Sequence, residues 1–351
     1  MKENRPCTEA NSRELLQQVK KMTEKEGAKG WKLAKETLLN HKTSSPQLRD
    51  AISHLVTSHP DYFRPTVVSL CSKAVGGTQE ATIPSSAYLV LLAKAIGIHD
   101  DIIDQSKMRN KRPTLLGKFG KDIAIIMSDI LLFKGFTLLR KNVEFGVPER
   151  TIVKILDIMD SIWYEQSEAE IMEAKSRRET DATPQKCLAK IRMRSSETEA
   201  ATRIGGILGN GSKKEIEALG KYGRSLGTAS ILRDELIDML ELDVLKHRIR
   251  KESLPLPITY AMQNTEARSK IAPILSKKRL KTTDLLELSK ATDQAEGIRY
   301  VADLISETVK EACLNVEMFK NRNAELKLLA YSLRIKPEEW EPVLQITRTS
   351  C

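Results

Sequence analysis

Aromatic residues are scarce in this chain of 351 residues, at 5% of the sequence, and their scarcity bears on the possible partners. The formal net charge of +10 by itself fits nucleic acid, an anionic membrane or a phosphorylated substrate. Proteins that bind single-stranded nucleic acid interleave basic residues with aromatic rings on which the bases stack. Here the local concentrations of basic residues, at 107–112, 175–178 and 246–251, contain no such rings. We therefore expect no nucleic acid partner.

Paired cysteines and long apolar runs are also missing. The five cysteines are scattered, odd in number and without zinc-finger spacing, which excludes a disulfide framework and indicates a reducing, cytoplasmic compartment. No stretch approaches the roughly 18 uninterrupted apolar residues of a membrane span, and the first residues lack an apolar signal core. We expect no transmembrane segment.

Strand signals are almost absent, whereas Lys, Glu, Leu, Ala, Ile and Arg dominate, and these residues favour helix. The sequence therefore predicts an all-α fold in a single domain, with N-terminal helices over 1–58, a core over 59–336 and a C-terminal tail over 337–351. Helical periodicity between Gly, Pro and polar breaks predicts helices over 12–40, 47–57, 64–75, 84–107, 117–142, 148–175, 184–208, 213–241, 255–263, 267–275, 282–291, 294–319 and 323–334.

Two acid clusters of the same form follow long apolar stretches. They are Asp100-Asp101-Ile102-Ile103-Asp104 and Asp234-Glu235-Leu236-Ile237-Asp238. At about 3.6 residues per turn, the first and fifth positions of each cluster share one helix face. Buried like charges require a compensating cation, and neither cluster contains Lys or Arg. Oxygen ligands without His or Cys suit Mg2+. One acidic helix face is commonly just solvated, but two such clusters favour a metal site.

Motifs around the clusters point to a family. His99 to Asp104, followed by Arg109-Asn110-Lys111-Arg112-Pro113-Thr114, is similar to a DDxxD motif followed by RRGxPT. Further matching motifs stand in the expected order: Phe119-Gly120, Ser128-Asp129-Ile130-Leu131-Leu132, Gly223 to Ala229, and Lys251-Glu252-Ser253-Leu254-Pro255-Leu256. In these motifs the chain resembles the trans-isoprenyl diphosphate synthases, or polyprenyl synthetases.

The resemblance implies a helical bundle around a central apolar cavity, a homodimer, and an enzyme that uses three Mg2+ ions. The ions would grip an allylic prenyl diphosphate and promote the departure of pyrophosphate. Glu235 stands where the family usually has Asp, so it keeps the charge with one more methylene. The implied metal ligands are Asp100, Asp104 and Asp234 as the direct, catalytic set, with Asp101, Asp238 and Glu235 as further or outer ligands.

The resemblance also implies which cations hold the diphosphate. Asn110 replaces the second arginine of the family motif, and a neighbouring cation is expected to compensate. Arg112 is equally consistent with a solvent-facing role. The implied diphosphate-binding residues are Arg109, Arg112, Arg194, Lys251 and, at the second substrate, Arg64.

The departures from the family concern the second substrate, isopentenyl diphosphate. Asp61 stands in place of a lysine and Ala93 in place of a histidine, so only Arg64 remains of the usual cations. An anion in place of a cation beside a diphosphate turns attraction into repulsion. Lys94 is expected either to supply a substitute cation or to pair with a nearby carboxylate.

These losses favour a terpene synthase, which ionises one allylic diphosphate and needs no second diphosphate. Two alternatives stay open. One is an atypical geranylgeranyl-type diphosphate synthase that still condenses isopentenyl diphosphate, and the other is a non-catalytic partner subunit of such a synthase. In the resembled family, bulky side chains four and five residues before the first aspartate stop chain growth. The small or aliphatic residues Ala95, Ile96 and Gly97 therefore imply an open pocket for a substrate of fifteen to twenty carbons or longer.

Overall fold

The computed structural model describes residues 12–57, 60–109, 111–177 and 182–335. Regular structure in these ranges is almost entirely helical, which confirms the all-α prediction. The predicted boundary at residue 58 and the predicted tail lie outside the described residues. The helices are α1 Ser12–Leu39, α2 Pro46–Val56, α3 Phe63–Ala74, α4 Ile83–Ile103, α5 Leu115–Arg140, α6 Glu149–Lys175, α7 Pro184–Arg194, α8 Ser196–Leu208, α9 Lys213–Asp238, α10 Leu242–Lys251, α11 Leu256–Ala261, α12 Thr265–Leu275, α13 Thr282–Gln294, α14 Gly297–Asn315 and α15 Asn323–Tyr331.

Helix α4 is the central helix of the bundle and ends in the first acid cluster. Its residues from Pro84 to Leu92 are buried on all sides, because α4 packs against α1, α3 and α5. The segment Glu80–Ile103 has the length and apolar composition of a membrane span, and 67% of its apolar window is buried inside the bundle. Burial among other helices accounts for this composition.

Buried apolar side chains form two clusters. The larger fills the space between α1 to α9, α14 and α15. The smaller lies among α10 to α13 and includes Leu245, Ile249, Ile258 and Leu288. This smaller cluster fixes α10 beside the end of α9, where the second acid cluster lies.

Two glycines allow α9 to approach α8 closely. A Cβ atom added at Gly223 would lie 2.2 Å from Thr202 Oγ1, and one added at Gly227 would lie 2.8 Å from Ser195 Cβ. Neither distance is possible for a real side chain, so only glycine permits this packing. The close contact brings the C-terminal half of α9, which carries Asp234, toward the end of α7, which carries Arg194.

The structure differs from the sequence prediction at two helices. The predicted helix 184–208 is divided at Ser195, whose hydroxyl donates to the Arg192 carbonyl oxygen at 2.6 Å and lies 3.0 Å from Thr228 Oγ1. Helix α10 was not predicted. Its segment is strongly basic and contains only a few apolar residues. These residues are buried in the smaller apolar cluster, and the local sequence gives no sign of that burial.

A short antiparallel hairpin follows the first acid cluster. Strand β1, Met108–Arg109, pairs with β2, Arg112–Pro113, in the register Met108 with Pro113 and Arg109 with Arg112. Arg109, the last residue of β1, has its Nη2 atom 2.9 Å from Asp101 Oδ1 at the end of α4.

Candidate active site

The first acid cluster occupies the last turn of α4, where the helix dipole is negative and destabilises carboxylates. Burial raises the pKa of Asp100, and it raises the pKa of Asp101 to about 6. Burial and then the neighbouring charge of Glu252 raise the pKa of Asp104 to about 7. These shifts mean that burial disfavours the charged form of each carboxylate and that the neighbouring arginines do not fully offset this cost.

Each carboxylate of this cluster has one arginine beside it, contributed by a different part of the chain. Arg177 Nη2 donates to Asp104 Oδ1 at 2.8 Å. Arg109 Nη2 lies 2.9 Å from Asp101 Oδ1, and Arg194 Nη2 lies 3.8 Å from Asp100 Oδ2. Asp100 therefore has the longest ion pair of the three.

The second acid cluster occupies the last turn of α9, and its members have different surroundings. Glu235 is buried, and its two oxygens accept from Arg248 Nη2 at 2.5 Å and from the Leu256 backbone N–H at 2.8 Å. Asp238 accepts from Arg248 Nη1 at 3.0 Å, although burial still raises its pKa to about 6. Asp234 makes no hydrogen bond or ion pair with the described residues and lines a cavity of about 320 Å³.

Arg194 connects the two clusters electrostatically. Besides its contact with Asp100, its Nε lies 3.5 Å from Glu170 Oε1, and its charge also opposes the burial-raised pKa of Asp234. Arg194 and Asp234 line the same cavity. Arg194, which was predicted to bind the diphosphate, therefore lies near a carboxylate of each acid cluster.

Helix α10 joins the second cluster to the segment that follows the first. Lys251 Nζ donates to Gln105 Oε1 at 2.6 Å, and His247 Nε2 lies 2.9 Å from Ser106 Oγ. On the same helix, Arg248 faces Glu235 and Asp238. Lys251, which the resemblance places on the diphosphate, is thus held one residue beyond Asp104.

A buried charge pair supports the segment after Lys251. Lys190 and Glu173 form an ion pair, and both are almost fully buried. Burial alone would raise the pKa of Glu173, but Lys190 and the hydrogen bonds from Ser253 lower it to about 2. The Ser253 backbone N–H donates to Glu173 at 2.6 Å, and Lys190 donates to Ser253 Oγ at 2.6 Å.

Sequence reasoning missed several of these residues. Arg177 and Arg248 belong to the basic segments 175–178 and 246–251, and this local concentration of charge was the available signal. Which carboxylate each arginine meets depends on tertiary contacts. The missed residues are Glu170, Glu173, Arg177, Lys190, Glu197, His247, Arg248 and Glu252.

Arg112 is placed differently from the other predicted diphosphate ligands. It is exposed, and its Nη1 donates to the Thr57 carbonyl oxygen at 3.2 Å, with no ion pair to the described carboxylates. Arg109, on the paired strand, does reach the acid cluster. Asn110 lies outside the described residues.

The region matching the second-substrate site is a compact charge network. Arg64 donates to Asp61 Oδ2 at 2.7 Å and to Glu197 Oε1 at 2.5 Å. The charges of Asp61 and Arg64 both affect the pKa of Lys94. The Lys94 Nζ atom lies 5.0 Å from the centre of the Trp31 ring. Burial lowers the pKa of Lys94, and the charge of Asp61 opposes that shift. This network therefore contains two basic residues, Arg64 and Lys94, and two acidic ones, Asp61 and Glu197.

The three predicted pocket residues have different environments. A Cβ atom added at Gly97 would meet nothing within 4 Å, so this position borders open space. Ile96 is half-buried against the main core. Ala95 is fully buried, and its carbonyl oxygen accepts from Ser128 Oγ at 3.2 Å, so it lies in the contact between α4 and α5 and lines no open space.

The acid clusters fit Mg2+ by their donor chemistry. Asp100 Oδ1 and Asp101 Oδ1 are both buried without a well-aligned hydrogen-bond donor, which is an unfavourable state that a cation would relieve. Within the described ranges no three acidic, His or Cys side chains converge to hold an ion by themselves. That arrangement suits Mg2+, which takes one or two carboxylates and completes its shell with water and substrate phosphates.

Comparisons with known proteins agree with this geometry. The polyprenyl synthetase family model matches residues 45–292. The geranylgeranyl diphosphate synthase of Sulfolobus acidocaldarius is 28% identical over 195 residues, which are 55% of this chain and 59% of the relative, so the match spans about three fifths of that relative's length. The geranylgeranyl diphosphate synthase of Saccharolobus solfataricus is 25% identical over 301 residues, 82% of this chain and 90% of the relative. The crystal structure of the geranylgeranyl pyrophosphate synthetase from Pyrococcus horikoshii shares the fold, with a TM-score of 0.81 at 21% identity over 91% of this chain and 99% of that chain. The chain belongs to the polyprenyl synthetase family.

Proposed function

We propose that this protein is a Mg2+-dependent polyprenyl diphosphate synthase of the geranylgeranyl type, which condenses isopentenyl diphosphate with an allylic prenyl diphosphate. The observation that carries the proposal is that Arg194 lies 3.8 Å from Asp100 and lines the same cavity as Asp234, so that one cation lies near both acid clusters. An allylic diphosphate bound there has carboxylates on two sides and cations between them. The names of the relatives support the same activity.

The residues of the chain have separate tasks in this proposal. Mg2+, three ions by resemblance to the family, supplies positive charge that offsets the charge developing on the leaving diphosphate. Asp100, Asp104 and Asp234 hold the metal. Arg194 and Lys251 add fixed positive charge near the same oxygens, so no reorganisation is needed when the bond breaks. The apolar bundle keeps water away from the carbocation.

The terpene-synthase interpretation, which the sequence favoured, is not supported, and the condensing alternative fits better. The relatives that match are diphosphate synthases. The loss of the family lysine at Asp61 and of the family histidine at Ala93 was the basis of the terpene-synthase interpretation. In this proposal Arg64, which forms ion pairs with Asp61 and Glu197, and Lys94, whose pKa is affected by both Asp61 and Arg64, supply the cations for the second diphosphate.

The test is a product analysis with purified protein and Mg2+. Geranyl, farnesyl or geranylgeranyl diphosphate is supplied with and without isopentenyl diphosphate, and both hydrocarbons and diphosphates are measured. We expect longer diphosphates only when isopentenyl diphosphate is present. A hydrocarbon or alcohol formed from one substrate alone would contradict the proposal in favour of a terpene synthase. No product in either assay, but a changed product length when the protein is mixed with an active synthase, would indicate a partner subunit.

We also propose that the protein acts as a cytoplasmic homodimer. Helices α5 and α6 expose apolar residues at spacings of three, four or seven positions, and such spacings place the residues of each helix on one face. Among these residues are Ile126, Phe133, Phe136, Val153, Tyr164 and Ile171. Exposed apolar patches of this kind usually mark interfaces. Sedimentation equilibrium is expected to give twice the chain mass. Phe133→Asp should yield monomer, whereas Leu314→Asp, at an equally exposed apolar position on α14, should leave the dimer intact.

A further inference from the structure

Two carboxylates occupy the guanidinium group of Arg64. Its Nε and Nη2 atoms donate to the two oxygens of Glu197 at 2.5 and 3.2 Å. Its Nη1 atom donates to Asp61 Oδ2 at 2.7 Å. A guanidinium group binds a phosphate through the same fork of N–H groups that it presents to a carboxylate. The edge of Arg64 formed by Nε and Nη2 is therefore taken by Glu197.

Glu197 comes from the bend between α7 and α8. It lies in the first turn of α8, three residues after Arg194. The Gln166 side-chain amide donates to the Arg194 carbonyl oxygen at 2.6 Å and to Ser196 Oγ at 3.0 Å, and these contacts hold the bend in place. Glu197 and Arg64 line the same cavity as Arg194. The bend therefore presents a cation and, three residues later, an anion to one cavity.

The ion pairs of Arg64 are shorter than those of Arg194. Arg194 lies 3.5 Å from Glu170 and 3.8 Å from Asp100, whereas Arg64 lies 2.5 Å from Glu197. Asp100 is also a proposed metal ligand, so bound Mg2+ offsets part of the negative charge beside Arg194. Glu197 belongs to neither acid cluster, and its charge stays beside Arg64 when the metal binds.

We infer that the carboxylates of Glu197 and Asp61 compete with the diphosphate of isopentenyl diphosphate for Arg64 and thereby weaken the binding of this second substrate. Glu197 is the stronger competitor, because it takes two nitrogen atoms of the guanidinium group. The diphosphate must displace these carboxylates, and both of them repel it. Glu197 is thus a specificity-determining residue for the second substrate. This inference rests on the proposed function, because it assumes that isopentenyl diphosphate binds at Arg64.

The test measures the binding of isopentenyl diphosphate without an allylic substrate, so that no turnover occurs. Isothermal titration calorimetry of the full-length protein with Mg2+ gives the Kd of the wild type and of Glu197→Gln, which removes the charge and keeps the shape. We expect Glu197→Gln to bind isopentenyl diphosphate at least fivefold more tightly. In steady-state kinetics its KM for isopentenyl diphosphate should fall by a similar factor. Its KM for farnesyl diphosphate should stay within twofold of the wild-type value.

Glu165→Gln is the matched control. Glu165 lies on α6, and its two oxygens accept from Arg224 Nη1 at 2.6 Å and Nη2 at 3.0 Å, so it forms an ion pair of the same kind. It is not among the described residues that line the cavity. Glu165→Gln should leave the Kd for isopentenyl diphosphate unchanged. A merely structural role of Glu197 would weaken binding and lower the unfolding temperature, whereas competition for Arg64 predicts a gain in affinity.

Asp61→Asn provides a second variant that decides the question if Glu197→Gln does not fold. Asp61 Oδ1 accepts from the Arg64 backbone N–H at 3.2 Å, and asparagine keeps this acceptor while it removes the charge. We expect Asp61→Asn to bind isopentenyl diphosphate at least twofold more tightly than the wild type.

Unchanged or weaker binding of isopentenyl diphosphate in both variants, with longer diphosphates still formed, would overturn the inference and leave the proposed function intact. If the wild type and both variants neither bind isopentenyl diphosphate nor form longer diphosphates, the proposed function itself is contradicted.

Discussion

Asp100 is the residue of the first cluster whose charge is least compensated. Its nearest cation is Arg194, at 3.8 Å, and its Oδ1 atom is buried without a donor. Asp101 and Asp104 each have an arginine within 3 Å. The free energy of binding a cation at this cluster should therefore depend strongly on Asp100. The sequence also predicted Asp100 as a direct metal ligand.

We predict that Asp100→Asn lowers turnover at least a hundredfold, which corresponds to about 2.7 kcal/mol of activation free energy. The change removes the charge but keeps the shape, so the fold should persist. Steady-state kinetics with saturating Mg2+ provide the measurement. Asp122→Asn, an exposed position on α5, is the matched control and should retain full activity. Near-normal turnover in Asp100→Asn would refute its role as a ligand.

Single residues also show where sequence reasoning reached its limit. The acid clusters were predictable, because carboxylates at helical spacing in apolar helices need a cation whatever the fold. Glu235 was predicted as a metal ligand from its place in the motif, whereas its actual contacts depend on Arg248 and on the Leu256 amide. Arg248 and Leu256 lie 13 and 21 positions after Glu235 in the sequence. No local sequence pattern specifies contacts over these separations.

Among the helices, the pair α8 and α9 sets the distance between Arg194 and Asp234. The glycines that permit this contact were recognised from the sequence as part of a motif. The structure shows why glycine is needed there, because no space is left for a Cβ atom. By contrast, α10 was missed, because its apolar residues meet a separate small core. Long, strongly periodic helices were therefore predictable, and a short basic helix was not.

We predict that Gly227→Ala lowers activity at least tenfold, because the added methyl would lie within 3.0 Å of Ser195 and Thr198 and would push α9 away from α8. Arg194 and Asp234 would then separate. Lys221→Ala is the control, because it changes an exposed position on α9 itself. Kinetics and thermal unfolding of both variants provide the measurement. Equal activity in the two would show that the helix separation does not govern the site.

For the whole molecule, the acid clusters make stability depend on pH. Burial raises the pKa of Asp101 to about 6 and that of Asp238 to about 6, and burial with Glu252 raises that of Asp104 to about 7. In the unfolded chain these groups titrate near about 3.9. Between these values the folded protein holds protons that the unfolded chain has released. The free energy of unfolding therefore decreases as the pH rises from about 4 to about 7.

We predict that metal-free protein unfolds at a lower temperature at pH 7.5 than at pH 5.5, by about 2 °C or more. Calorimetry in the presence of EDTA provides the measurement. Asp104→Asn should reduce the difference, because it removes a carboxyl whose pKa is raised to about 7 in the folded protein. Mg2+ with pyrophosphate should raise the unfolding temperature at pH 7.5, since the cation binds the ionised carboxylates. An unfolding temperature that is independent of pH would contradict the proposed burial of charge.

The contacts of α10 have a consequence for how the molecule folds. Lys251 and His247 meet Gln105 and Ser106 across 146 and 141 residues of intervening chain. Contacts between such distant segments form slowly, because the long loop must close before they add any stability. During synthesis, the first acid cluster therefore exists for a time without the helix that completes its surroundings. A chain that ends before residue 242 would carry both acid clusters but lack Arg248 and Lys251.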